Sequence, residues 1–166
     1  MGTMAKSGAR TALICIALCT AASIAAADDR AVCGSVPPKS DAVGACSRII
    51  ASPVTSDHDR ALAYSFRADA GRAKGDMAGA IADYSQALTL LPNLIPALMG
   101  RGTAYLNSGD NAHAIADLDL AVQLVPQNAK ALYERGVAKG KSGDTSGGEA
   151  DIAAATKLDP NVANQP

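Results

Sequence analysis

Aromatic side chains are nearly missing: the 166 residues hold no tryptophan, one phenylalanine and four tyrosines. A core without large rings has to be assembled from alanine and leucine, which bury little area each, so modest stability for the length is expected. Histidine is scarcer still. His58 lies in the polar linker SPVTSDHDR and His113 near the start of an expected helix, facing solvent, so the two have no metal-ligand spacing. A phosphate loop is also missing, because Gly147-Gly148 is not followed by Gly-Lys-Ser/Thr. No motif sets a nucleophile beside a base. The formal net charge is −1, with no basic patch to act as a nucleic-acid footprint. These absences point away from metal, phosphate and nucleophilic chemistry, and neither an enzyme nor a cofactor is expected.

What the chain does have begins with a leader-like front. Residues 1–10 carry Lys6 and Arg10 without an acid, residues 11–27 read TALICIALCTAASIAAA, and Ala25-Ala26-Ala27 offers a small-x-small cleavage site before Asp28. That is the pattern of a secretory signal peptide, and the alanine-rich stretch is at the short limit for a membrane span. Ile14 and Leu18 precede Cys15 and Cys19, which does not match a lipoprotein signal, so no lipid anchor is expected. Cleavage after residue 27 leaves 13 of the 15 basic residues against all 16 acidic ones. The expected location is the periplasm or the medium, with no membrane association after cleavage.

Two of the four cysteines remain in the mature chain, Cys33 and Cys46. In an oxidising compartment they are expected to pair, as a structural rather than a redox-active bond, since redox-active pairs usually lie closer together. Between them runs GSVPPKSDAVGA, where Pro37-Pro38 predicts an extended elbow before a short helix over about 41–51. Closing such a loop restricts the unfolded chain by roughly 3 kcal/mol. The segment 28–58 thus reads as a disulfide-stapled cap, its helix resembling the second half of the unit that follows.

That unit repeats at an interval of 34. Gly-Asp recurs at Gly75-Asp76, Gly109-Asp110 and Gly143-Asp144, and proline at Pro92, Pro126 and Pro160. Arg67, Arg101 and Arg135 form another column, and Asp83, Asp117 and Asp151 a third. Alanine columns at 70/104/138 and 87/121/155 and a leucine column at 90/124/158 keep the same register. Arginine, aspartate and proline are not the common residues of this chain, so coincidence is a poor explanation. Each copy holds two apolar-periodic segments; in the second copy Ala114, Ile115, Leu118, Ala121, Val122 and Val125 recur three and four apart along one face. Glycine ends the first helix and proline the second. Small residues at 68/102/136 let neighbouring helices approach closely. A lone hairpin cannot bury its apolar face, so the copies are expected to stack.

The period, the Gly-Asp turn, the Ala80-Ile81 and Ala114-Ile115 pairs, Ala68, Gly102, Gly136 and the closing prolines together resemble the tetratricopeptide repeat family. The expected fold is all-α: an α-α superhelix of three hairpins, 61–94, 95–128 and 129–162 within a repeat region 59–162, followed by a tail at 163–166. In the third copy Gly148-Glu149 replaces Ala-Ile, which predicts a weak, polar second helix that serves as the cap itself. In an exported chain the resemblance implies a bacterial interaction module that binds a peptide segment of another exported protein. The runner-up is a small-molecule binder or small enzyme built on a helical array.

The resemblance also places the binding surface on the first helices. In this register it comprises Ser65, Asp69 and Arg72 in the first copy, Met99, Thr103, Leu106 and Asn107 in the second, and Lys130, Tyr133, Val137 and Lys141 in the third. Met99, Leu106, Tyr133 and Val137 would form an apolar strip flanked by Arg72, Lys130 and Lys141. Some family members clamp carboxylate tails of chaperones. The equivalent positions here are Ser65, Asp69, Gly100, Lys130 and Glu134, of which only Lys130 fits. An apolar-anchored extended or helical segment is therefore expected rather than a free carboxyl terminus. The Arg and Asp columns are expected to pair, within a hairpin or between hairpins.

Overall fold

A computed structural model describes residues 27–35 and 41–164, and every regular element among them is helical. Residues 27–33 form α1. Then follow α2 (Ala42–Ala51), α3 (Asp57–Ala73), α4 (Met77–Leu90), α5 (Ile95–Asn107), α6 (Asn111–Leu124), α7 (Ala129–Ser142) and α8 (Thr145–Leu158), with a 3₁₀ turn at Val162–Asn164. Helices α3/α4, α5/α6 and α7/α8 are the three expected hairpins. The proposed leader up to residue 26, the Pro37-Pro38 elbow and the last two residues of the tail lie outside the described residues.

The Gly-Asp dipeptide builds each hairpin turn with two different functions. Gly75, Gly109 and Gly143 take φ of +83°, +83° and +98°, a left-handed conformation that costs glycine little. The following aspartate N–H bonds back to the helix just ended, as Asp110 does to the Tyr105 carbonyl at 2.9 Å. Its carboxylate then caps the next helix: Asp76, Asp110 and Asp144 accept from the backbone N–H of Gly79, His113 and Gly147. One dipeptide stops a helix and starts another, which explains its recurrence.

Between hairpins the core is a run of small residues with few large ones. Ala68, Ala80, Ala87, Ala97, Ala104, Ala121 and Ala131 are buried, and Tyr84 and Leu118 are the largest side chains with no exposure. The arginine ladder fixes the register that such small side chains specify poorly. Arg67 donates through Nε and Nη2 to both carboxylate oxygens of Asp83 at 2.7 Å; Arg101 holds Asp117 at 2.8 and 2.7 Å, and Arg135 holds Asp151 at 2.7 and 2.6 Å. Each pair lies within one hairpin, which settles the choice the sequence left open. The third nitrogen reaches the element before: Arg67 Nη1 donates to Ser47 Oγ, Arg101 Nη1 to Ser85 Oγ and Arg135 Nη1 to Asp119 Oδ1. Every ladder arginine therefore ties three helices with a planar fork.

Four expectations change. The third hairpin's second helix is complete, from Thr145 to Leu158. Gly148 explains why: a Cβ there would lie 2.7 Å from the Gly136 carbonyl oxygen, so two glycines let α7 and α8 meet backbone to backbone. Val125 is the C-cap of α6 and exposed, not part of its buried face. His58 sits in the first turn of α3, not in a linker, because Ser56 caps that helix by accepting from the Asp59 N–H. Beyond Pro160 the chain turns back in a 3₁₀ turn whose Val162 is buried against Leu132 and Ala155. That turn closes the end of the stack, a role expected of the third hairpin alone.

At the other end Cys33 and Cys46 are joined, with Cα atoms 4.9 Å apart. The bond is buried among Ala45, Ile49 and Ala63, so it pins α1 and α2 to the first helix of the array. α2 stands where the second helix of a preceding hairpin would stand, and Ser47 receives Arg67 as Ser85 receives Arg101. Reduction is expected to loosen this cap first, by up to about 3 kcal/mol. Hydrogen exchange should then show amides of 42–51 losing protection with reductant while those of α5 keep theirs; equal protection in both states would contradict the staple.

Candidate binding groove

Helices α3, α5 and α7 lie side by side, and a pocket of about 390 Å³ opens on the face they share. Ile95, Pro96 and Met99 of α5 give it an apolar wall. Asp69 and Arg72 come from α3, Lys130 and Glu134 from α7, with Thr103 and Gly100 between them and Asn128 at one end. Successive helical turns place 69 with 72, 95 and 96 with 99 and 103, and 130 with 134 on one face.

Beneath the lining, a residue of a second helix supports Asp69 and Gly100. Tyr84 of α4 is fully buried, and its hydroxyl donates to Asp69 Oδ1 at 2.5 Å. Its ring passes against α5 at Gly100, where a Cβ would lie 2.4 Å from the ring carbon bearing the hydroxyl. Burial, and then the Asp69 carboxylate, push the phenol well above its ordinary range, so Tyr84 stays a neutral donor. Across the pocket Thr103 Oγ1 lies 2.8 Å from Glu134 Oε2 and 2.8 Å from the Met99 carbonyl, bridging α5 to α7. Burial pushes the Glu134 carboxyl up, while Thr103, Lys130 and Arg72 pull it down by less. Asn128 caps α7 through the Ala131 N–H and sets its amide 3.3 Å from Met99 Sδ, which fixes the mouth of the apolar wall.

Arg72 is held differently from the ladder arginines. Its ion pair among the described residues is a 3.9 Å approach to Asp69, and its Nε, closed off from solvent, finds no acceptor. A second depression of about 440 Å³ runs between α2, α3 and the start of α4. There Arg67 and Asp83 are already bonded to each other and Asp76 caps α4, while Lys74 stands at the edge. Among the described residues no group of three His, Cys, Asp or Glu side chains could hold a metal ion, and no helix is long and apolar enough to cross a membrane.

Of the eleven residues placed on this surface from the sequence, Asp69, Arg72, Met99, Thr103 and Lys130 line the pocket. Ser65 is 2% exposed and Leu106 8%, so both belong to the interior rather than to a surface a partner could touch. Tyr133, half-buried, packs on Leu132, Ala155 and Val162, and Val137, half-buried, packs on Leu106 and Ala138; neither lines the pocket, whose apolar wall is Ile95, Pro96 and Met99. Asn107 and Lys141 are exposed at the far ends of α5 and α7, away from the pocket. Ile95, Pro96, Gly100, Asn128 and Glu134 complete the lining. The 34-residue register already put Gly100 and Glu134 on the right helices; the start of α5 carries no polar residue to signal a site.

Comparison with known proteins agrees with this geometry. Residues 95–128 match the tetratricopeptide repeat family. The fold is a tetratricopeptide-type array. The first such domain of Spaghetti (RPAP3) bound to the HSP90 peptide SRMEEVD superposes with a TM-score of 0.62 at 24% identity, over 67% of this chain and 90% of that one. The Arabidopsis OM64 domain gives 0.63 at 21% identity, over 66% and 92%. The Sgt2 domain of Aspergillus fumigatus gives 0.58 at 26% identity, over 61% and 68%. No curated protein matches the sequence.

Proposed function

We propose that the chain is a non-enzymatic interaction module that binds an extended segment of another protein in the groove of α3, α5 and α7. The observation carrying this reading is the pocket itself, assembled from the first helices of all three hairpins with an apolar wall and polar ends. Peptides occupy related domains: the HSP90 peptide SRMEEVD on the first domain of Spaghetti, and the HSP70 peptide SGPTIEEVD on the second domain of human RPAP3. The leader-like front and the joined Cys33 and Cys46 support an exported, periplasmic setting, with an exported protein as the partner.

Met99 is the anchor to test, because it lines the pocket while Tyr133 does not. Met99→Ala is expected to weaken capture of the partner about tenfold or more, at a stability cost below that of a fully buried methionine, which is roughly 2–5 kcal/mol. Tyr133→Ala is expected to do the reverse, lowering the melting temperature with capture retained at permissive temperature. Unchanged capture by the folded Met99→Ala protein would remove the groove from the binding site.

A further inference from the structure

The pocket's charges cancel. Asp69 faces Arg72 on α3, and Glu134 shares α7 with Lys130, so two carboxylates and two cations border one apolar wall. An acidic tail entering here shares the pocket with Asp69 and Glu134 as well as with the cations, and in a half-buried site like charges are poorly screened. A neutral extended backbone meets no such conflict. Its N–H groups suit the carboxylates, its carbonyls suit the cations of Arg72 and Lys130, and one side chain can rest on Ile95, Pro96 and Met99.

Resting on the peptide-binding reading above, we infer that the pocket takes an internal, uncharged extended segment with one aliphatic or thioether anchor, and that Asp69 and Glu134 are the residues that turn acidic carboxyl-terminal tails away. Both can lose their charge with little loss of structure. Asn at 69 still accepts from Tyr84, and Gln at 134 still accepts from Thr103.

Two probes of one length separate the possibilities: SRMEEVD with a free carboxylate, and acetyl-SQMQQVN-amide, which keeps the methionine and carries no charge. The wild-type chain is expected to bind the amidated probe about tenfold more tightly, ~1.4 kcal/mol. Asp69→Asn with Glu134→Gln is expected to abolish or reverse that preference, at an unchanged circular-dichroism melting temperature. Should the double variant melt early, Glu134→Gln alone is expected to narrow the preference. Equal or tighter binding of SRMEEVD by wild type would overturn the inference, as would binding of neither probe. Partner capture that still depends on Met99 would in either case leave the proposed function standing.

Discussion

Gly136→Ala is expected to destabilise the array by about 1–2 kcal/mol, whereas Gly140→Ala, one helical turn later on α7, is expected to stabilise it by up to about 1 kcal/mol. A Cβ at 136 would lie 2.7 Å from the Gly148 carbonyl oxygen and 2.8 Å from Ile152 Cγ1, and backbone cannot rotate away as a side-chain tip can. At 140 a Cβ has nothing within 4 Å, so only the gain in helix propensity remains. The two substitutions change the same atoms on the same helix, and their difference isolates the α7/α8 contact. Chemical denaturation of both variants reads it directly. If Gly136→Ala proved as stable as Gly140→Ala, the close approach would not be what holds the third hairpin.

Removing Arg101 is expected to cost about 2–3 kcal/mol, less than the 3–5 kcal/mol of a fully buried pair because its side chain keeps some contact with water. The loss leaves Asp117, 7% exposed, without its bidentate partner and frees Ser85 on the preceding hairpin. A double-mutant cycle of Arg101→Ala with Asp117→Ala is expected to give a coupling of about 1–2 kcal/mol, and with Asp83→Ala one near zero. Asp83 belongs to Arg67, which is why the second cycle serves as the control. A coupling to Asp83 larger than that to Asp117 would mean that the ladder runs between hairpins rather than within them.

The architecture was legible because rare residues carried the period. Arginine, aspartate and proline columns survive in an alanine-rich chain as signals that hydrophobic pattern alone would blur. Their purposes follow from local chemistry that spacing cannot express: the sequence set Gly-Asp between helices, and the structure adds that Asp caps what Gly interrupts. The groove was legible only in part. The family resemblance put Asp69, Arg72, Met99, Thr103 and Lys130 on the first helices, and the structure brings them to one pocket, but which side chains point outward depends on how hairpins pack. Leu106 is buried with Ala114 and Ala138, Val137 packs half-buried beside them, and Tyr133 packs against Val162, beyond the last repeat proline. Tyr84 was hidden for another reason: it supports Asp69 from a second helix, its ring packed where residue 100 is glycine. No pattern within either helix records that contact.

Site-directed photocrosslinking tests the central claim most directly. A benzoylphenylalanine at position 96, exposed on the apolar wall of the pocket, is compared with one at position 86, exposed on α4 and outside the lining. Irradiation of the folded protein with its captured partner is expected to give a covalent product from position 96, competed away by the amidated methionine probe, and none from position 86. A product from position 86 with none from position 96 would place the partner on the other side of the array and contradict the groove.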